Sequence, residues 1–161
     1  MSELTFAIQM EIDGERYYLS QADINKGTSM YRAFILLAEA EKKHADLLRN
    51  KSIVSDSSIN DNLSAAKPVS LFALKADYMR DVNVVPGQLE VYAVARDMEQ
   101  KSIDLYREML TQTKDEPTKQ LIEFLIKQEQ DHYAFFDEMI TLLKRPRDWV
   151  EDAEFGLRKE Y

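Results

Sequence analysis

The chain contains no cysteine. That excludes disulfides, thiolate catalysis, zinc-finger sites and cysteine-held iron–sulfur clusters. Any metal must be held by carboxylate and imidazole, and imidazole is scarce, with only His44 and His132. Glycine and proline number four each, so few residues break a helix. Positive charge is in deficit: 21 Lys and Arg stand against 29 Asp and Glu, for a net charge of -8. Such a balance argues against a grip on nucleic acid or attraction to anionic lipid, which both want a cationic face. No apolar run reaches membrane-spanning length. The N-terminus, MSELTFAIQMEIDGE, is acidic where a signal peptide would be basic. A cytoplasmic location is the expectation.

What is present is a globular balance, 45% hydrophobic and 31% charged over 161 residues, enough for one domain with a real core. Apolar residues recur at three- and four-residue steps, the helical period. A first helix is expected from about Glu3 to Asn25, with Ser2 as N-cap and Lys26-Gly27 as a stop. Its inward stripe reads Leu4, Ile8, Glu11, Glu15, Tyr18, Ala22. A second helix follows at once, from about Ser29 to Asn50, and so short a connection favours antiparallel neighbours. Residues 51–86 are rich in Ser, Asn and Asp and read as a crossover, with LFALKADYMRD as a short outer helix. A third helix is expected over Gln88 to Thr113. A fourth, capped by Asp115 with Pro117 in its first turn, is expected to run to about Lys144 and end at the RPRDWVE segment. The predicted fold is therefore an all-α, ferritin-like antiparallel four-helix bundle over residues 1–146, two helical hairpins joined by one long crossover. Residues 147–161, with Trp149, Phe155 and Tyr161, read as a tail packed on the bundle or on a partner.

The second helix raises a chemical question. Its stripe runs Met30, Phe34, Leu37, Glu41, His44, Leu48, so a glutamate and a histidine face inward while Lys42 and Lys43 fall on other faces. The fourth helix does the same with Ile122, Leu125, Glu129, His132, Phe136, Met139, Leu143. The third reads Leu89, Tyr92, Arg96, Glu99, Ile103, Tyr106, Leu110. Shifting the chain by 88 positions lays one hairpin on the other: Glu11 on Glu99, Tyr18 on Tyr106, Glu41 on Glu129, His44 on His132.

A lone Glu-x-x-His is a weak motif, because glutamate is common in helices. With about one residue in ten as Glu, both histidines carry glutamates at both offsets by chance roughly once in 10⁴. Charge points the same way. Four ionised carboxylates near one bundle centre would repel one another and lose hydration, at several kcal/mol each. Two divalent cations balance them with both imidazoles neutral. Oxygen-rich ligands with one imidazole per ion suit Fe(II) or Mn(II).

At these residues the sequence resembles the rubrerythrin branch of the ferritin-like di-iron carboxylate proteins, over nearly the whole chain. The resemblance implies a metal set of Glu11, Glu41, His44, Glu99, Glu129 and His132, the same six being the catalytic residues. Glu41 and Glu129 would bridge two iron ions, Glu11 with His44 would complete one, and Glu99 with His132 the other. It further implies that Tyr18 and Tyr106 are inward tyrosines bonded to the ligands. The chain departs from rubrerythrin proper in two ways. It has no cysteine-bound iron domain, so electrons would come from a separate donor protein. It also has no extra glutamate one turn from Glu99, where Arg96, Ser102 and Ile103 stand. Glu15 could substitute on the other half.

The expected function is a non-haem di-iron oxidoreductase reducing hydrogen peroxide or O2, with a homodimer as the assembly. Two other readings stand beside it: ferrous-iron oxidation or handling without peroxide specificity, and a metal-free interaction bundle.

Overall fold

The computed structural model describes residues 2–51, 71, 77 and 86–158, those from 145 onward as backbone only. Among them are four long helices and no strand: α1 Glu3–Ile24, α2 Ser29–Asn50, α3 Gln88–Gln112 and α4 Glu116–Arg158. α1 packs along α2 and α3 along α4, forming two hairpins, and the hairpins meet through α1 with α3 and α2 with α4. The result is the four-helix bundle expected from the periodicity. No helix among the described residues is long and apolar enough to cross a membrane.

Local chemistry sets the helix ends. Ser2 is extended and its side chain accepts from the Thr5 amide at 3.1 Å, capping α1. The turn into α2 needs Gly27 at φ +87°, a left-handed conformation that suits glycine, and Thr28 caps α2 by accepting from the Met30 amide at 3.2 Å. Asp115 accepts from the Thr118 amide at 3.1 Å at the head of α4.

The far end of α4 differs from expectation. The helix does not stop near Lys144 but continues through Pro146 to Arg158. One proline removes a single N–H from the ladder, and RDWVEDAEFGLR beyond it holds several good helix formers, so the helix resumes. The side chains of Trp149 and Phe155, and Tyr161 altogether, lie outside the described residues. So does the crossover, apart from Lys51, Leu71, Asp77 and Pro86, and with it most of the expected outer helix LFALKADYMRD. Leu71 itself is buried against the bundle.

Two apolar layers occupy the core. One is aromatic, with Tyr18, Phe34, Tyr92, Phe135 and Phe136 around Leu37 and Met139. Its rings pack closely, Tyr18 lying 5.8 Å from Phe136 and Phe136 6.0 Å from Tyr92 between centroids. The other layer is mostly aliphatic: Ala7, Leu48, Ile122 and Leu125 around Tyr106. Between the layers sits a polar band that neither contains.

Candidate metal centre

Each of the four helices contributes to this band. α1 supplies Glu11, α2 Glu41 and His44, α3 Glu99, α4 Glu129 and His132, and all six are buried. The i, i+3 spacing puts each histidine one turn beyond its glutamate on the same face. Donor atoms converge into two groups, Glu11–Glu41–His44–Glu129 and Glu41–Glu99–Glu129–His132, with the ligand atoms of each group within 4.8 Å of one another. Glu41 and Glu129 belong to both.

Glu129 divides its carboxylate between the imidazoles. Oε1 lies 3.0 Å from His44 Nδ1 and Oε2 lies 3.1 Å from His132 Nδ1. The rings face each other, centroids 5.9 Å apart. His44 Nδ1 is also 3.4 Å from Glu11 Oε2, and His132 Nδ1 is 3.2 Å from Glu41 Oε1 and 3.5 Å from Glu99 Oε1. Tyr18 donates its hydroxyl to Glu99 Oε1, and Tyr106 donates to Glu11 Oε1. Each terminal glutamate is thus held by a tyrosine from the opposite hairpin.

Protons balance the charge of this cluster. Burial, then the neighbouring carboxylates of Glu11, Glu129 and Glu99, pushes Glu41 well above the usual carboxylate range. Burial and Glu129 push Glu99 up to about 8, against the pull of His132. Burial would lower His44, but the carboxylates of Glu129 and Glu11 outweigh it and hold the imidazole well above its ordinary value. Burial likewise opposes protonation of His132, and Glu99, with hydrogen bonds to Glu129 and Glu41, overcomes it. For Glu129 burial acts upward, yet the positive His44 and bonds from Glu99 and His132 keep it well below its ordinary value. Tyr18 is raised by burial and by Glu99, and Tyr106 by burial and Glu11, so both stay protonated donors.

The donor set fits divalent metal. It is all oxygen and imidazole nitrogen, in the proportion Fe(II) and Mn(II) take. Two of its buried oxygens, Glu11 Oε2 and Glu41 Oε1, accept no hydrogen bond, although an imidazole nitrogen is near each. Buried carboxylate oxygens without a donor are costly and leave lone pairs for a cation. Gly14 makes room beside them: a Cβ there would lie 3.2 Å from Glu41 Oε2.

Several residues sit elsewhere than the periodicity implied. Glu15 is only half-buried and belongs to neither donor group, while Gly14 beside it is buried. In α3, Ala95 is buried and Arg96 turns outward to Asp137 at 2.8 Å, with Leu89 exposed and Gln88 buried. Lys42 and Lys43 are exposed. Gln128 is the site neighbour that the stripes did not show: it is buried, with Oε1 2.5 Å from His44 Nε2. Its only trace in the sequence is a break in the repeat, since the residue 88 positions earlier is Ala40.

Four antiparallel helices around a buried band of four glutamates and two histidines define a ferritin-like bundle with donor groups that could hold metal. The rubrerythrin family model matches residues 3–140, and the chain belongs to that family. No curated protein and no solved structure matches the chain significantly.

Proposed function

We propose that this chain is a di-iron oxidoreductase that reduces hydrogen peroxide to water, with electrons returned by a separate donor protein. The observation that carries the reading is the sharing of Glu41 and Glu129 between two donor groups, each completed by its own glutamate and histidine. Membership of the rubrerythrin family supports a di-iron oxidoreductase in general. Glu11 and His44 would hold one ion, Glu99 and His132 the other, and Glu41 and Glu129 both. When bound, two ferrous ions supply one electron each, the two that cleavage of the peroxide O–O bond requires, and two protons complete two waters.

The chain's own residues do the rest. Apolar layers on both sides exclude bulk water and lower the local dielectric, so charges in the band act strongly. Tyr18 and Tyr106 hold protons at Glu99 Oε1 and Glu11 Oε1, orienting each carboxylate from the opposite hairpin. The same hydroxyls could return a proton to the carboxylates they hold. Gly14, without a Cβ, leaves the Glu41 carboxylate room that any other residue would fill.

The iron-loaded, reduced protein should consume one peroxide for every two ferrous ions oxidised, and Glu129→Ala should abolish this. Unchanged consumption by the variant overturns the assignment.

A second reading is favoured by one observation. Ser102, one turn beyond Glu99, turns its hydroxyl back to the Met98 carbonyl at 3.1 Å and offers no carboxylate to the site. A centre with only the six ligands is equally compatible with oxidation of ferrous iron by O2. Comparing rates with the two oxidants at equal concentration separates the readings, since equal rates point to iron oxidation.

A further inference from the structure

His44 and His132 are equivalent in the repeat but not in their surroundings. His44 is fully buried, and both ring nitrogens are engaged: Nδ1 faces the carboxylates of Glu129 and Glu11, and Nε2 lies 2.5 Å from Gln128 Oε1. An amide oxygen only accepts, so Nε2 must carry the proton. Nδ1 is then the nitrogen that gives up its proton to a cation, and it already points into the donor group. Gln128 is buried on α4 beside Glu129, and the glutamine–histidine pair ties α4 to α2.

The other half has no counterpart to this bond. The residue matching Gln128 is Ala40, whose methyl accepts nothing. The hydrogen bonds and ion pairs of His132 among the described residues all fall on Nδ1, and the residue keeps 4% of its surface exposed against 0% for His44. One imidazole is fixed in tautomer and orientation by protein. The other is fixed on one side only and is slightly less buried.

Resting on the two-metal reading above, we infer that Gln128 is a positioning residue that makes the two metal seats unequal. The Glu11–His44 seat is preset and fills first. The Glu99–His132 seat is looser and fills second. Outer hydrogen-bond partners of ligating histidines typically change metal affinity by about 10- to 100-fold, enough to separate the two steps.

The test is an anaerobic Co(II) titration read by visible absorption, paired with ¹⁵N-histidine NMR of the Zn(II)-loaded protein. Both probes are redox-inert under these conditions, so neither depends on turnover. The wild type should take up two ions in separable steps and show one imidazole Nε2–H protected from exchange. Gln128→Leu, which removes the acceptor while keeping much of the volume, should weaken the first step about 10- to 100-fold, leave the second in place and expose that proton. Gln128→Glu keeps an acceptor and should restore the first step. Far-ultraviolet circular dichroism of both variants confirms the bundle. The inference is overturned if Gln128→Leu leaves both steps and the protected proton as in the wild type, or weakens both steps equally. A wild type that binds no Co(II) would overturn the two-metal reading itself, and this inference with it.

Discussion

Tyr18 on α1 donates its hydroxyl to Glu99 on α3, across the junction between the two hairpins. Tyr106 on α3 returns the relation to Glu11 on α1. The hairpins are therefore joined through the site itself, and the tyrosines hold the terminal carboxylates in register. Removing one hydroxyl leaves a buried carboxylate oxygen without its donor. Tyr18→Phe and Tyr106→Phe should each lower the stability of the metal-loaded protein by about 1–3 kcal/mol, measured by urea unfolding. Unfolding midpoints unchanged in both variants would show that the cross-hairpin bonds carry no weight.

Gly14 separates the requirements of the helix from those of the site. Gly14→Ala should stabilise the metal-free helix by up to about 1 kcal/mol, since alanine is the better helix former. Its methyl would also press on Glu41 Oε2 at 3.2 Å, so the carboxylate must shift by a few tenths of an ångström. Metal affinity should therefore fall, while in the metal-free protein the shift of Glu41 offsets part of the helical gain. A variant with wild-type affinity would show that Glu41 needs no such space.

The buried protons predict an inverted pH dependence. Glu99 titrates at about 8 in the fold against 4.5 as its ordinary value. Between these values the folded metal-free protein binds a proton the unfolded chain has released, so stability falls as pH rises through the window. Glu41 acts in the same direction. The raised His44 and His132 stabilise the fold fully below about 6.5 and lose that contribution as pH rises through their folded values. Glu129 is the opposite case, and its contribution is lost as pH falls below 4.5. Each group adds a slope of at most about 1.4 kcal/mol per pH unit. Metal must displace these protons, so binding should release them and tighten with pH. Calorimetric Tm of the metal-free protein should fall from about pH 5 to about pH 9, while the Tm gained on metal loading grows. A metal-free Tm that rises across this range would contradict the proton-filled cluster.

Much of this site was legible in the sequence, for a physical reason. Glutamate and histidine inside an apolar stripe contradict the hydropathy around them, so Glu41, His44, Glu129 and His132 stand out, and the repeat adds Glu11 and Glu99. Helix ends were legible where capping is local, as at Ser2 and Asp115. Stripe edges were not. From Glu11 a step of four reaches Glu15 and a step of three reaches Gly14, and glycine has no side chain to signal burial. The same one-residue ambiguity put Arg96 inward in place of Ala95. Gln128 was hidden because an amide beside a glutamate resembles any polar helix position, and its acceptor role depends on an imidazole 84 residues away. The continuation of α4 past Pro146 was missed because a proline signals a break more strongly than its single lost hydrogen bond enforces one.

Six side chains from four helices would form two metal seats sharing Glu41 and Glu129. Anaerobic ferrous titration of the metal-free protein, with bound iron counted after removal of the excess, tests this arrangement most directly. Saturation is expected at two ferrous ions per chain, with both sites lost or severely weakened in Glu129→Ala, because that carboxylate serves both groups. Saturation at one ion, no binding, or a Glu129→Ala variant that still takes two with wild-type affinity would contradict it.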